Sequence, residues 1–298
     1  MSPAERSTGR GLPLEILWEA TELGASSTVR GGPLPASLAA RYGSRLQIPL
    51  RPDRPTIVAN FVESLDGVVA LGGESVSGGG EISGFFEPDR FLMGLLRAAA
   101  DVVVVGGGTV RAGRTHVWAP RQVNPAATEA YAEWRRAIGL SDPQPRTVIV
   151  TASGEIQPDH AALQAPDVPV TLLTNRAGAK RLAAMGLPAW AQALPVVERG
   201  PVPPAAIVAH LTETGVALAL CEGGPHLLGD LVRLGALDEQ FLTLAPQLLG
   251  RDGDDRFSFV EGIALPAGGG DWGDLVSVRR AQSHLFLRYR FDNPDRPA

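Results

Sequence analysis

A single cysteine, Cys221, stands in the 298 residues, which rules out an internal disulfide and any multi-cysteine zinc site. The thiol is expected to act as a small buried hydrophobe. Histidine is also scarce. His116, His160, His210, His226 and His284 are scattered, with no pair at metal-ligand spacing and no HExxH, so no metal is expected. No apolar run approaches the roughly 20 residues that a membrane helix needs, and the opening stretch MSPAERSTGRGLPLE has no apolar signal-peptide core. The expectation is a cytoplasmic protein with no membrane partner. Basic clusters are missing too: lysine and arginine total 27 against 32 acidic residues, interspersed along the chain. That balance argues against a nucleic-acid partner.

What is present is enough apolar residue, 44% of the chain, to bury a full core. The 35 glycines and 25 prolines fall between apolar runs and punctuate many short elements. From Pro55 onward the runs TIVANFV, DVVVVGG, RTVIVT, VPVTLLT, LPVV, VALALC and FLTLA are each bounded by turn residues. Runs apolar on both faces predict a parallel sheet covered on both sides. Helical patterns at 89–100, 177–186, 204–215 and 225–235 fall among them, and the alternation predicts an α/β fold with right-handed crossovers. The tail SHLFLRYRF (283–291) alternates between apolar and polar residues from Leu287 on, which predicts an antiparallel strand added at an edge. Ahead of the core, LPLEILWEATELG (12–24) has helical spacing through Leu14, Leu17, Trp18 and Leu23, and residues 25–54 read as an extended arm. The chain therefore divides into an N-terminal helix and arm, 1–54, and a main domain, 55–292.

Four stretches fall just beyond strand carboxyl ends, where a parallel sheet binds its ligands. In VVVVGGGTVRAGRT (102–115), Gly106, Gly107 and Gly108 let backbone amides approach a ligand, Thr109 adds a hydroxyl, and Arg111 and Arg114 add positive charge. GTVRAGRT matches the phosphate-loop spacing except that Arg114 replaces lysine. A phosphate loop needs a helix to begin inside the motif, whereas HVWAPRQVNP follows with two prolines. In CEGGPHLLGDL, Glu222 stands at a strand's mouth, and Gly223, Gly224 and Pro225 start a helix whose amides suit pyrophosphate. In NFVESLDGVVAL (60–71), Ser64, Asp66 and Gly67 form a turn, which is also a common hairpin signal. In VTASG (150–154) and LLTNRAG (172–178), hydroxyls and Arg176 suit a ribose or its 2′-phosphate and serve equally well as helix caps. No G-x-S-x-G elbow or activated cysteine pattern occurs, so covalent catalysis lacks support. Glycine-rich strand ends with few acids and bases fit a reaction whose hard step belongs to a cofactor.

Taken in order with their spacing, NFVESLDG, LLRAAADVVVVGGGTVRAG and CEGGPHLLGDLVRLGALDEQFLTLAPQLLG resemble the pyrimidine reductase family of riboflavin biosynthesis. That family occurs alone or fused to a deaminase, within the dihydrofolate-reductase-like superfamily, and the resemblance covers roughly residues 55–291. It implies a dihydrofolate-reductase-like α/β fold: a mostly parallel central sheet, helices on both faces and a C-terminal antiparallel edge strand. It also implies an NADPH-dependent oxidoreductase and a homodimer. The substrate would be a small heterocycle resembling 5-amino-6-(5-phosphoribosylamino)uracil, with hydride delivered to the sugar's first carbon.

By the same resemblance Gly106, Gly107, Gly108, Thr109 and Arg111 cradle the dinucleotide together with Gly223, Gly224 and Pro225. Thr151, Ser153 and Arg176 lie toward its adenosine end. Asn60, Ser64, Asp66 and Glu222 face the substrate, with Asp66 and Glu222 catalytic. Glu222 would orient substrate hydroxyls or relay a proton. Two departures stand out. Gly113 and Arg114 replace the family's aspartate and proline-containing turn, and neither the HxE nor the PCxxC motif of the deaminase occurs. Gly113 leaves open a reductase of another small heterocycle, a pterin or dihydrofolate-like one. The small number of acid-base residues leaves open a non-catalytic nucleotide-binding protein.

Overall fold

The computed structural model describes residues 9–21, 28–71, 79–251 and 256–291. Strands β1 (Glu15–Glu19) and β2 (Val29–Pro33), helix α1 (Ala36–Tyr42) and β3 (Arg45–Pro49) precede β4 (Thr56–Ser64) and the short β5 (Ala70–Leu71). Helices α2 (Gly79–Ser83) and α3 (Glu87–Ala99) lead to β6 (Val102–Gly106), and α4 (Gly107–Ala112), α5 (Pro120–Val123) and α6 (Thr128–Ala137) lead to β7 (Arg146–Val150). Next come β8 (Val170–Asn175), α7 (Arg176–Met185), β9 (Ala191–Val197), α8 (Pro204–Glu213), β10 (Leu218–Cys221) and α9 (Pro225–Arg233). The chain closes with β11 (Leu237–Ala245), β12 (Arg256–Phe257), β13 (Asp274–Ala281) and β14 (His284–Arg290).

Ten strands form one sheet in the order β1-β13-β14-β11-β4-β10-β6-β7-β8-β9. From β11 to β9 every neighbouring pair is parallel, and β14, β13 and β1 are added antiparallel. The run of four valines in β6 shows why the strands read as continuous apolar stretches. Successive side chains point to opposite faces. Val103 and Val105 join the core of Phe91, Leu95 and Trp134 on one face, while Val102 and Val104 join Ile207, Leu211 and Leu228 on the other. Both faces are thus covered by helices. Among the described residues, no helix is long and apolar enough to cross a membrane.

Two expectations change and a third is extended. The predicted helix at 12–24 is strand β1 over Glu15–Glu19, and Leu23 lies outside the described residues. Helical spacing yields here to the open edge of β13, which β1 pairs antiparallel. The charges match across that ladder, Glu15 with Arg280 and Glu19 with Arg279, both at 2.6 Å. The extended arm of 25–54 contains helix α1, whose Leu38 and Tyr42, four apart on one face, bury against the main core. The antiparallel addition expected at one edge of the parallel sheet is present and is three strands wide, β14 first, then β13 and β1. Strand β14 lies between β13 and β11, because the polar positions of its alternation, Arg288 and Arg290, meet Glu239 of β11 rather than water.

Candidate functional site

Strand β10 sits between β4 and β6, with Cys221 paired to Ala59 on one side and Val104 on the other. The next residue, Glu222, leaves the sheet there, its amide donating to the Val104 carbonyl at 3.1 Å. Helix α3 meets it with Arg97. The guanidinium Nε donates to both carboxylate oxygens at 3.0 Å and Nη2 donates to Oε2 at 2.6 Å. Both side chains are buried, at 1% and 5% exposure, so the pair compensates two desolvated charges. The remaining guanidinium donors are also taken. Nη1 reaches the carbonyls of Val117 and Ala119, and Nη2 lies 2.9 Å from His116 Nε2. Burial, with Arg97 adding to it, pushes His116 down to about 3. The ring is therefore neutral at working pH and accepts from Arg97, which can only donate.

The pair forms one wall of a cavity of about 330 Å³. Asp89, Arg90, Met93 and Arg97 of α3 line it together, their spacing placing them on one helix face. Asp89 is buried at 5% exposure. Burial, with the negative charge of Glu222 adding to it, pushes its carboxyl up to about 6, while the Thr243 and Ser83 hydroxyls and Arg90 pull the other way. A carboxyl of that kind changes protonation close to neutral pH. Asn60 lines the opposite wall on β4, and no hydrogen bond ties its side chain to another described residue. The Cys221 thiol, just behind, is pushed up to about 12 by burial and is chemically inert.

The glycine stretches meet beside this cavity. A Cβ at Gly223 would lie 2.5 Å from Val105 Cα, so only glycine lets the loop rest on β6. Gly224 has φ 71°, and a Cβ on it would sit 3.5 Å from Thr109 Oγ1. A Cβ at Gly107 would lie 3.0 Å from Thr151 Oγ1 and 3.3 Å from an Arg111 guanidinium nitrogen, whereas Gly108 opens onto free space. The fold thus brings Gly106–Thr109, Arg111, Thr151 and Gly223–Pro225 to one place, next to the amino end of α9. Helix α4 begins at Gly107 and ends at Ala112. It is finished before Arg114, which pairs with exposed Asp159 at 3.0 Å, and this is not the order of a phosphate loop. Ser153 accepts from the Glu155 amide at 3.3 Å, and Arg176 pairs with Glu198 at 2.8 Å, both side chains largely exposed. These two lie at the ends of β7 and β8, farther along the sheet.

Ser64 and Asp66 are engaged with each other and with nearby backbone. Ser64 is fully buried, and its hydroxyl donates to Asp66 Oδ1 at 2.6 Å and accepts from the Val68 amide at 3.0 Å. Asp66 in turn accepts from the backbone amides of Leu249 and Gly250, the latter at 2.5 Å. The Ser64 hydrogen bond, with those amides adding to it, holds the carboxyl down at about 2. Both side chains staple the 64–68 turn to the segment after β11, and neither lines the cavity.

Sequence reasoning missed Arg97, Asp89 and His116. The signal available was two charged residues on α3, Asp89 and Arg97, at positions that its own apolar pattern marks as buried; His116, beyond α4, carried none. A second cavity, of about 290 Å³, lies at the other ends of the strands among Arg146, Trp190 and His210, away from the glycine loops. Among the described residues, no cluster of three or more His, Cys, Asp or Glu side chains could hold a metal ion.

A family model described as RibD C-terminal domain matches residues 55–264. Among solved structures the chain is similar to Acinetobacter baumannii RibD, 20% identical with a TM-score of 0.58, over 80% of this chain and 58% of that one. It is also similar to a pyrimidine reductase-like protein from Corynebacterium diphtheriae, 20% identical with a TM-score of 0.59, over 80% and 92%. The riboflavin biosynthesis reductase Rib7 of Saccharomyces cerevisiae matches at 13% identity with a TM-score of 0.52, over 80% and 90%. The chain therefore spans less than two thirds of the Acinetobacter protein, and likenesses at these identities show a shared fold. No curated protein matches in sequence.

Proposed function

The chain belongs to the RibD C-terminal domain family, and from that premise we propose that it is an NADPH-dependent pyrimidine reductase. Its substrate would be a phosphorylated ribosylaminopyrimidine, reduced at the first carbon of the sugar. The observation that carries the reading is the Arg97–Glu222 pair, which presents an oriented carboxylate at a cavity that the glycine cradle, Asn60 and Asp89 also line.

The residues fit a dinucleotide: Gly107 and Gly223 leave no room for a Cβ, Gly108 leaves its backbone open, and Pro225 starts a helix of nine residues. Gly106–Thr109, Arg111, Thr151 and Gly223–Pro225 would hold it, with Ser153 and Arg176 toward the adenosine end. Bound there, NADPH supplies the hydride. Glu222 accepts hydrogen bonds from the sugar hydroxyls beside the carbon to be reduced, and Arg97 keeps it in place. Once the sugar ring opens to an imine between its first carbon and the amino nitrogen, hydride at that carbon breaks the C=N π bond, and Asp89 supplies the accompanying proton to that nitrogen, a task suited to a carboxyl that titrates near 6. Asn60 fixes the ring edge.

A second reading, a reductase of a pterin or dihydrofolate-like ring, is favoured by Gly113 on the cavity wall in place of a carboxylate, with Asp89 left as the acid facing the ring. A homodimer belongs to the proposal as well. Edge strand β1, with Ile16, Leu17 and Trp18 each 46–47% exposed, is its candidate surface, and light scattering at micromolar concentration should give the mass of two chains.

Titrating the fluorescence of the five tryptophans with NADPH and NADH tests the cofactor. NADPH binding at least tenfold tighter, about 1.4 kcal/mol, followed by NADPH oxidation with the pyrimidine, supports the reading. Turnover with a dihydropterin alone favours the second reading. Binding of neither nucleotide removes both.

A further inference from the structure

Phe85 holds its backbone at φ 53°, in the left-handed region that a bulky side chain occupies only under strain. Among the described residues the other non-glycine there is Gln282, in the two-residue turn of the β13–β14 hairpin, where the turn type demands it. No hairpin demands it of Phe85. Its ring is 57% exposed, whereas the neighbouring Phe86 is 3% exposed. The exposed ring lies at the cavity.

The surroundings over-determine this conformation. The Phe85 amide donates to the Gly80 carbonyl at 2.7 Å, and Gly84 before it is also left-handed, at φ 66°. Phe86 stacks on His284 with ring centroids 4.0 Å apart, and His284 Nε2 lies 3.1 Å from the Ser83 carbonyl. Gln247 Nε2 donates to the Ile82 carbonyl at 2.5 Å. A Cβ at Gly80 would come within 2.7 Å of the Phe85 ring, so the ring rests directly on glycine backbone. The strained turn thus holds one aromatic face open at the cavity. Its position in the fold says what that face meets: α2, just before it, packs on β4 and β11, while the glycine cradle stands at the ends of β10 and β6.

We propose that Phe85 is a specificity-determining residue whose ring stacks on the planar heteroaromatic ring of the substrate. The proposal rests on the reductase reading for the identity of the cavity. Stacking of this kind selects flat aromatic rings over saturated ones of equal size.

The test uses the full chain saturated with NADP+, which has no hydride to give, in wild-type, Phe85→Gly, Phe85→Leu and Phe85→Tyr forms, with NADPH affinity titrated separately on each. Each is titrated with the phosphoribosylaminopyrimidine, with 7,8-dihydropterin and with ribose 5-phosphate, which lacks the ring. Phe85→Gly should weaken whichever ring ligand the wild type binds by tenfold or more. It should leave ribose 5-phosphate and NADPH unchanged and keep or raise Tm, since glycine suits φ 53°. Phe85→Leu should lose affinity to a lesser degree, and Phe85→Tyr should retain it. Equal ring affinity in Phe85→Gly, an equal loss for ribose 5-phosphate or NADPH, or a lowered Tm overturns the proposal and leaves the reductase reading in place. Ring-dependent loss seen with the dihydropterin alone keeps Phe85 in its role and overturns the pyrimidine reading. Failure of the wild type to bind either ring overturns both.

Discussion

The molecule buries two arginine–glutamate pairs of the same chemistry in opposite settings. Arg288 and Glu239 face each other between β14 and β11, 2.8 and 3.0 Å apart at two contacts, with Arg290 adding a third at 3.4 Å. Side-chain exposures of 5% and 2% leave no open face. Arg97 and Glu222 are as deeply buried, yet one side of the pair borders a cavity. The first pair replaces water in a sheet whose alternation would otherwise need solvent. The second keeps a carboxylate oriented where a ligand can use it. Burial alone does not separate structural from functional charge, whereas the neighbouring free volume does.

The largest effect expected from this contrast is Glu239→Gln. It leaves the buried Arg288 guanidinium without the carboxylate it pairs with and should cost about 3–5 kcal/mol, read as a shift of the urea midpoint, with KM of the folded fraction unchanged. A cost below about 1 kcal/mol would break the distinction. Glu222→Gln should instead lower turnover by about 10²–10⁴-fold with a smaller stability loss, because cavity water can reach the freed guanidinium. Arg97→Lys should follow it in direction, and a full-rate Arg97→Lys enzyme would remove the orienting role.

Asp89 sharpens the comparison through pH. Its folded value of about 6 lies above the ordinary 3.8, so the folded state holds the proton more tightly. The resulting stability is fully present below about pH 4 and is lost as pH rises through 6. The difference in unfolding free energy between wild type and Asp89→Asn should therefore change by roughly 2–3 kcal/mol across that window. In turnover, the limb near pH 6 should vanish in the variant. His116, lowered to about 3, contributes an opposite slope as pH falls below its unfolded value near 6.5, and taking the difference between variants cancels it. The smallest effect belongs to Asp66→Ala. It should speed hydrogen exchange at Leu249 and Gly250, the amides it holds, and leave kcat nearly intact. A collapse of kcat would restore Asp66 to the catalytic set.

Much of this architecture is legible before any coordinates. The valine-rich runs, the four helical patterns and the glycine stretches at 106–109 and 223–225 all depend on local periodicity and turn chemistry. What escaped depends on partners far away in the chain. Leu14, Leu17 and Trp18 have helical spacing, and only the free edge of β13, more than 250 residues on, turns the segment into a strand. Arg288 and Arg290 look solvent-facing until Glu239 is placed beside them. Asp89 and Arg97 look like ordinary polar punctuation of an amphipathic helix until β10 delivers Glu222 against it.

The insertion of β10 between β4 and β6 also governs when the site can exist during synthesis. Residues 56–64 and 102–106 emerge early, but their shared central neighbour is residues 218–221, so the middle of the sheet stays open until that segment, more than a hundred residues on, has left the ribosome. Pairings of such long sequence separation close slowly, and the waiting strands expose apolar edges that favour association with other chains. A nascent chain stopped before Leu218 should therefore be a chaperone client with no nucleotide affinity, and release of the segment from Leu218 onward should restore folding and the cleft in a single step.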